Sequence, residues 1–277
     1  MTDSSSAPKV HSRFLKVGSI RTHYLEGGDG PPLVLIHGGE FGGCAEISWE
    51  FNIEELARHF RVIAPDLLGF GQTSKIFEFG RWNEARVEHV RDFLDALCIN
   101  RAHFLGNSMG GTMILEQAAA AEPLWPMDRI VIANGGGNVP DNETRQLLNT
   151  YDCSEEHMGR IVNAIFFRPD LRDNEEYIRR RHRLSIVPGA WECTSAPRFR
   201  APGAPRSGYV PPDYSGVTHE VMLIVGALDN LREPGFGPKL QAAIPGSRLH
   251  MVDHAGHCPH IDRPDEFNRV AIEFLKG

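Results

Sequence analysis

Gly106-Asn107-Ser108-Met109-Gly110 fits the pattern G-x-S-x-G. It lies between an apolar run, Ala102 to Leu105, and a helix-forming stretch, Met109 to Ala121. A sharp strand-to-helix turn holds such a serine in a strained conformation and exposes its hydroxyl at a helix N-terminus. Backbone N–H groups there favour developing negative charge. Without that context the five residues would read as a glycine-rich helix start. With it, Ser108 is the candidate nucleophile.

A serine hydroxyl attacks only when a base takes its proton, and the base needs an acid to orient it. Gly226-Ala227-Leu228-Asp229 follows the apolar run Val221 to Val225, and His257 lies in a turn after Arg248 to Val252. Ser, Asp, His is the chain order that accompanies a strand–turn–helix nucleophile. Asp229 is expected to orient His257, and His257 to deprotonate Ser108 and then protonate the leaving group. Asp66 competes for the acid's place, but it precedes Leu67-Leu68-Gly69-Phe70-Gly71 and is expected to shape that turn.

His37-Gly38-Gly39-Glu40 follows the run Pro32 to Ile36. A glycine-rich turn there can aim an amide at an oxyanion, so Gly39 is paired with the Met109 amide as the expected oxyanion hole. Glu40 puts a negative charge beside a place suited to an anionic intermediate, and the sequence offers no physical account of it. His254, His257 and His260 could be read as metal ligands. However, Gly256 and Pro259 interrupt a helix, and no H-E-x-x-H motif is present. No metal and no cofactor are expected.

The elements that must hold these residues follow from apolar patterning. Short continuous apolar runs at 32–36, 61–65, 102–105, 129–133, 221–225 and 248–252 read as strands buried on both faces. Helical spacing falls between them, at 84–97, 109–121 and 265–276. Alternating strands and helices imply an α/β fold with a doubly wound, mostly parallel sheet. Residues 14–25 read as two short strands around Gly18, and residues 1–12 as disordered. The alternation stops between about Asn138 and Thr218. That stretch is helical at 155–167 and 174–184, then a Pro/Gly/Arg-rich loop at 196–216. The expected organisation is a core of 1–137 and 219–277 with a mainly helical lid, 138–218, inserted after the sixth strand.

Composition excludes several classes. Among 277 residues the formal net charge is -7, and the densest basic cluster is Arg179, Arg180, Arg181 and Arg183. Nucleic-acid binding needs a broad positive footprint and is not expected. Five scattered cysteines without CxxC spacing do not suggest a disulfide framework. The polar, serine-rich start lacks the apolar segment of a signal peptide, and no run reaches membrane-spanning length. The expected setting is the cytoplasm and the expected partner is a small-molecule substrate. Association with copies of the same chain stays open.

The stretches LIHGG, LARHFRVIAPDLLGFGQTSK, LGNSMGG and GH…DEFNRVAIEFL resemble the α/β-hydrolase fold, and within it the meta-cleavage-product hydrolases. The resemblance spans nearly the whole chain; the GNSMGG elbow and the LLGFGQTSK turn carry most of it. It implies cleavage of a C–C bond in 2-hydroxy-6-oxo-dienoates formed by ring opening of catechols. Matching the lid helix EEYIRRRHRL, it implies that Arg181 binds a substrate carboxylate, with Arg179, Arg180 and Arg183 as competitors. Asn107 and Gly38 match pocket positions. Cys258 stands where the family has tryptophan, and Ser48 where it has an asparagine near the first helix. Both changes touch the pocket and not the triad. Serine at 108 also separates the chain from dehalogenases and epoxide hydrolases of this fold, which use aspartate there. A carboxylesterase or lactonase with the same triad is the alternative. A binding protein on a hydrolase scaffold is a third reading, against which the complete triad argues.

Overall fold

The computed structural model describes residues 8–199 and 209–277. Among these residues eight strands form one sheet: β1 (His11–Val17), β2 (Ile20–Gly27), β3 (Pro32–Ile36), β4 (Arg61–Pro65), β5 (Ala102–Asn107), β6 (Met127–Ala133), β7 (Val221–Gly226) and β8 (Arg248–Val252). Their order is β1-β2-β4-β3-β5-β6-β7-β8. β1 and β2 are antiparallel to their neighbours, and every pair from β4 to β8 is parallel. The expected disorder of residues 1–12 does not extend to His11 and Ser12, which pair with Glu26 and Leu25. β1 is largely exposed, so its apolar signal is weak. Backbone pairing, not burial, holds it.

The inner strands are buried on both faces, which is why their sequences are unbroken apolar runs. Val34 and Ile36 face one cluster with Phe104, Ile132 and Leu223. Leu33 and Leu35 face the other with Leu105, Val131 and Ile224. Helices cover both faces. Those in the first half of the chain are α1 (Ala45–Trp49), α2 (Ile53–Ala57), α3 (Trp82–Ala96) and α4 (Met109–Ala119). Between β6 and β7 come α5 (Glu143–Asn149), α6 (Glu155–Ile165), α7 (Pro169–Arg172), α8 (Glu175–Ser185) and α9 (Ala190–Ser195). The last three are α10 (Phe236–Ala243), α11 (Pro259–Asp262) and α12 (Pro264–Lys276). Of the expected loop 196–216, residues 196–198 form a 3₁₀ turn, and 200–208 lie outside the described residues.

α5 to α8 share a third apolar cluster with Phe41, Ile47, Cys258 and Ile261, which belong to the loops and helices flanking the sheet. The helices between β6 and β7 are therefore packed directly onto the segments that follow β3 and β8. The chain runs outward from β3 to β4 on one side and resumes with β5 on the other. Such a reversal opens a crevice at the carboxyl ends of the strands. Among the described residues no helix is long and apolar enough to cross a membrane.

Candidate active site

Ser108 is the turn between β5 and α4, with φ +51° and ψ -116°. That left-handed backbone is strained for a side chain with a Cβ. Two neighbours must be glycine for the turn to fit. A Cβ on Gly106 would stand 2.7 Å from the Gly110 carbonyl carbon, and one on Gly110 would stand 2.2 Å from the Ile36 carbonyl oxygen. The Ser108 amide donates to the Ala133 carbonyl at 2.9 Å, fixing the elbow to the end of β6.

Ser108 Oγ lies 2.8 Å from His257 Nε2. His257 Nδ1 lies 2.8 Å from Asp229 Oδ2. The three residues come from the ends of β5, β7 and β8, and they meet because parallel strands deliver their carboxyl ends to one edge. The loop that carries His257 is tied down on both sides. Its amide donates to the Ile165 carbonyl at 3.0 Å, and the Gly256 amide donates to Asp262 Oδ2 at 2.7 Å.

Asp229 accepts from the Asn134 side-chain amide at 2.7 Å and from the Leu231 amide at 2.8 Å. Burial pushes its carboxyl upward, but the charge and hydrogen bond of His257, the Leu231 amide and Arg232 outweigh burial and hold it below the usual carboxylate range. Asn134 also donates to the Gly256 carbonyl at 3.1 Å and accepts from the Gly226 amide at 3.1 Å. It thereby joins β6, β7 and the histidine loop. Its φ of +48° suits asparagine better than most side chains. Arg232 caps the arrangement by donating to the Asn134 carbonyl at 2.7 Å. Sequence reading missed both residues. The Asn134-Gly135-Gly136-Gly137 run after β6 was the available signal, since it marks a turn at the sheet's active edge.

His37, fully buried, accepts from the Leu67 amide at 3.0 Å through Nε2 and donates through Nδ1 to the Gly38 carbonyl at 2.6 Å. Burial lowers its pKa, and the neutral ring holds the Gly38–Gly39 turn. Gly39 packs against Met109: a Cβ there would stand 2.7 Å from the Met109 sulfur. Asp66 does not approach His257. It pairs with His23 at 2.7 Å and accepts from the Ala45 and Gln72 amides at 2.8 and 2.7 Å, shaping its turn.

A cavity of about 170 Å³ is lined by Ser108, His257, Gly39, Met109, Glu40 and Cys258, with Phe41, Leu148, Ile165, Leu231 and Arg198. On the other side of Ser108 and Met109 a wider cleft of about 570 Å³ is lined by Trp82, Met113, Val139 and Tyr209, with Thr112, Arg145 and Glu116. Two larger or comparable hollows elsewhere contain none of these groups. The cavity's mixed lining can take a carbonyl compound against Ser108, with an apolar portion extending into the cleft.

Arg181 is buried, whereas its three neighbours in the basic cluster point outward. Arg179 and Arg183 pair with Glu176, at 2.8 and 2.6 Å, and Arg180 with Glu50 at 2.6 Å. Arg181 donates through Nε to the Tyr177 hydroxyl at 3.0 Å, and Nη1 lies 3.6 Å from Glu40 Oε1. Burial opposes its charge, but Tyr177 and Glu40 outweigh burial and keep it protonated. Asn107 lies beneath, donating to the Ala133 carbonyl at 3.3 Å. Ser48, on α1, is buried and its hydroxyl has no partner among the described residues; it does not line the cavity. Among the described residues no three His, Cys, Asp or Glu side chains gather as a metal site: His254 is exposed and His260 is buried.

Residues 33–270 match the model of the alpha/beta hydrolase family. The chain is 30% identical to 2-hydroxy-6-oxo-6-(2'-aminophenyl)hexa-2,4-dienoic acid hydrolase of Metapseudomonas resinovorans, covering 95% of this chain and 90% of that one. It is 30% identical to 2-hydroxymuconate semialdehyde hydrolase of Pseudomonas sp. strain CF600, covering 99% and 97%. Its structure resembles a meta-cleavage product hydrolase from Pseudomonas fluorescens IP01 with a TM-score of 0.84 at 29% identity, covering 95% and 97%. A strained serine elbow at the edge of a mostly parallel sheet, matched across nearly the full length of both chains, places this protein in the alpha/beta hydrolase family.

Proposed function

We propose that the protein hydrolyses a C–C bond beside a ketone in a linear, conjugated dicarbonyl compound of meta-cleavage type, by acyl transfer on Ser108. The observation that carries this reading is the unbroken line from Ser108 through His257 to Asp229 at 2.8 Å per step, in a chain related to hydrolases named for such compounds. The dienol first becomes its keto form, with His257 assisting proton movement. Ser108 Oγ then attacks the distal carbonyl as His257 Nε2 takes its proton. The Gly39 and Met109 amides receive the oxyanion. When the intermediate collapses, the C–C bond breaks, its electron pair passes to the vinylogous leaving carbon, and His257 returns the proton there. Water, deprotonated by His257, releases the acyl group from Ser108 as a carboxylic acid. One water is consumed and no redox change occurs.

Residues 138–218 act in this reading as a lid over a core of 1–137 and 219–277. The partner is a small-molecule substrate, and the setting is the cytoplasm. The test is to mix the enzyme with a series of yellow ring-fission products and follow visible absorbance. Bleaching with release of one carboxylic acid per molecule is expected; persistent colour across the series would reject it. The second reading, a carboxylesterase or lactonase, is favoured by one observation: Arg181 already has Glu40 as a carboxylate partner.

A further inference from the structure

Glu40 takes no part in acyl transfer on Ser108, yet it lines the same cavity. Its side chain folds back over its own loop. Oε2 lies 2.5 Å from where a Cβ on Gly38 would stand, and Asn107 Oδ1 lies 2.9 Å from that point. Oε1 faces Arg181 Nη1 at 3.6 Å. Cys258 closes the group, its sulfur 4.0 Å from Asn107 Oδ1. Burial, and then the charge of Glu40, push that thiol well above the usual range and keep it neutral. Gly38, Asn107, Cys258 and Arg181 therefore surround a carboxylate that belongs to the chain itself.

Charge decides what else can enter. The Arg181 side chain is 2% exposed and that of Glu40 13%. The pair is neutral as it stands. A substrate carboxylate there would stand beside Glu40 with Arg181 already paired, and like charges sharing a buried site resist joint ionisation; the other cation lining the cavity, Arg198, lies at its exposed edge. What remains open is neutral hydrogen bonding. Arg181 Nη2 is buried with no partner among the described residues, and Arg181 is not among the residues that line the cavity, so Glu40 is the member of the pair that the cavity presents. The Glu40 carboxylate can accept. A hydroxyl meets that need without bringing charge, and a neutral carbonyl or ester at least adds none.

We propose that Glu40 is a specificity residue that occupies the anion position beside Arg181, so that the compound cleaved by Ser108 ends on that side in a neutral hydroxyl, carbonyl or ester. This rests on attack by Ser108 at a carbonyl, and not on which bond then breaks.

Two matched pairs of substrates separate charge from bond type. One pair is a yellow 2-hydroxy-6-oxo-dienoate and its methyl ester, which share the scissile C–C bond. The other is p-nitrophenyl hydrogen glutarate and its methyl ester, which share a scissile C–O bond. kcat/KM is measured for each with the wild type and with Glu40→Gln. The wild type is expected to prefer the neutral member by at least about 10-fold, and Glu40→Gln to move that ratio at least about 10-fold toward the acid. The ratio is read within each protein, so a general loss of turnover in the variant does not enter it. Glu40→Ala supplies the same ratio if Glu40→Gln does not fold. A wild-type preference for the acids overturns the proposal, and Arg198 at the cavity's exposed edge would then be the receiving cation. A ratio unmoved in a folded Glu40 variant also overturns it. If only the p-nitrophenyl pair is cleaved, the C–C reading fails, and the charge preference is decided on that pair. Turnover of neither pair overturns both.

Discussion

Asn134 donates to the carboxylate of Asp229 at 2.7 Å, from the left-handed turn that ends β6. The same side chain bonds the Gly256 carbonyl and the Gly226 amide, so one residue sets the spacing between acid and base. Asn134→Gly keeps the backbone conformation while removing these bonds. It is expected to lower kcat by about 10- to 100-fold with KM little changed, because the loss falls on orientation of His257 and not on binding. Steady-state kinetics on any cleaved ester or ring-fission product checks this. A KM effect alone would show that Asn134 shapes the pocket instead.

Asp229→Asn should be more severe. It keeps the size of the group but removes the charge that stabilises protonated His257, and a loss of about 10⁴ in kcat is expected. Its thermal unfolding should shift far less than its activity, and calorimetry beside kinetics distinguishes the two.

Stability should fall on mild acidification. Burial holds His260 down to about 3 and His89 down to about 4, against an ordinary value near 6.5. Both are depressed in the folded state, so the stability they contribute is complete above about pH 6.5 and declines as pH falls toward those values. Each group adds a slope of up to about 1.4 kcal/mol per pH unit in that window. His260→Phe should flatten the decline between pH 6.5 and 4 in urea unfolding. Asp229 acts in a separate window: its carboxyl is held below the usual value of 3.8, so its contribution is lost only in stronger acid.

Arg181→Leu leaves the Glu40 carboxylate without its cation and is expected to destabilise the fold by about 3 kcal/mol. Adding Glu40→Gln to Arg181→Leu should recover part of that loss. If Glu40→Gln shifts the unfolding midpoint equally in the wild type and in Arg181→Leu, the pair, at 3.6 Å, carries no coupling.

Much of this site was legible in the sequence, for physical reasons. Strands buried on both faces must be unbroken apolar runs, so Pro32–Ile36 and Val221–Gly226 announced themselves, and with them the turns that carry Gly39 and Asp229. The serine elbow leaves a local mark because Gly106 and Gly110 have no room for a Cβ. β1 was partly missed because its exposed residues carry no alternation. Asn134, Arg232 and the Glu40–Arg181 pair were illegible for a different reason. Each depends on contacts between segments far apart in the chain, and no spacing rule records those. Glu40 was visible as an anomaly, but its meaning required Arg181 to arrive from α8.

In the proposed reaction Ser108 forms the acyl intermediate during C–C cleavage. The most direct test compares wild type and Ser108→Ala on one yellow ring-fission substrate, followed by visible absorbance in a stopped-flow instrument. The prediction is complete bleaching by the wild type and a rate at least about 10³-fold slower in the variant, with substrate still bound. Bleaching by Ser108→Ala at a rate near that of the wild type would contradict it.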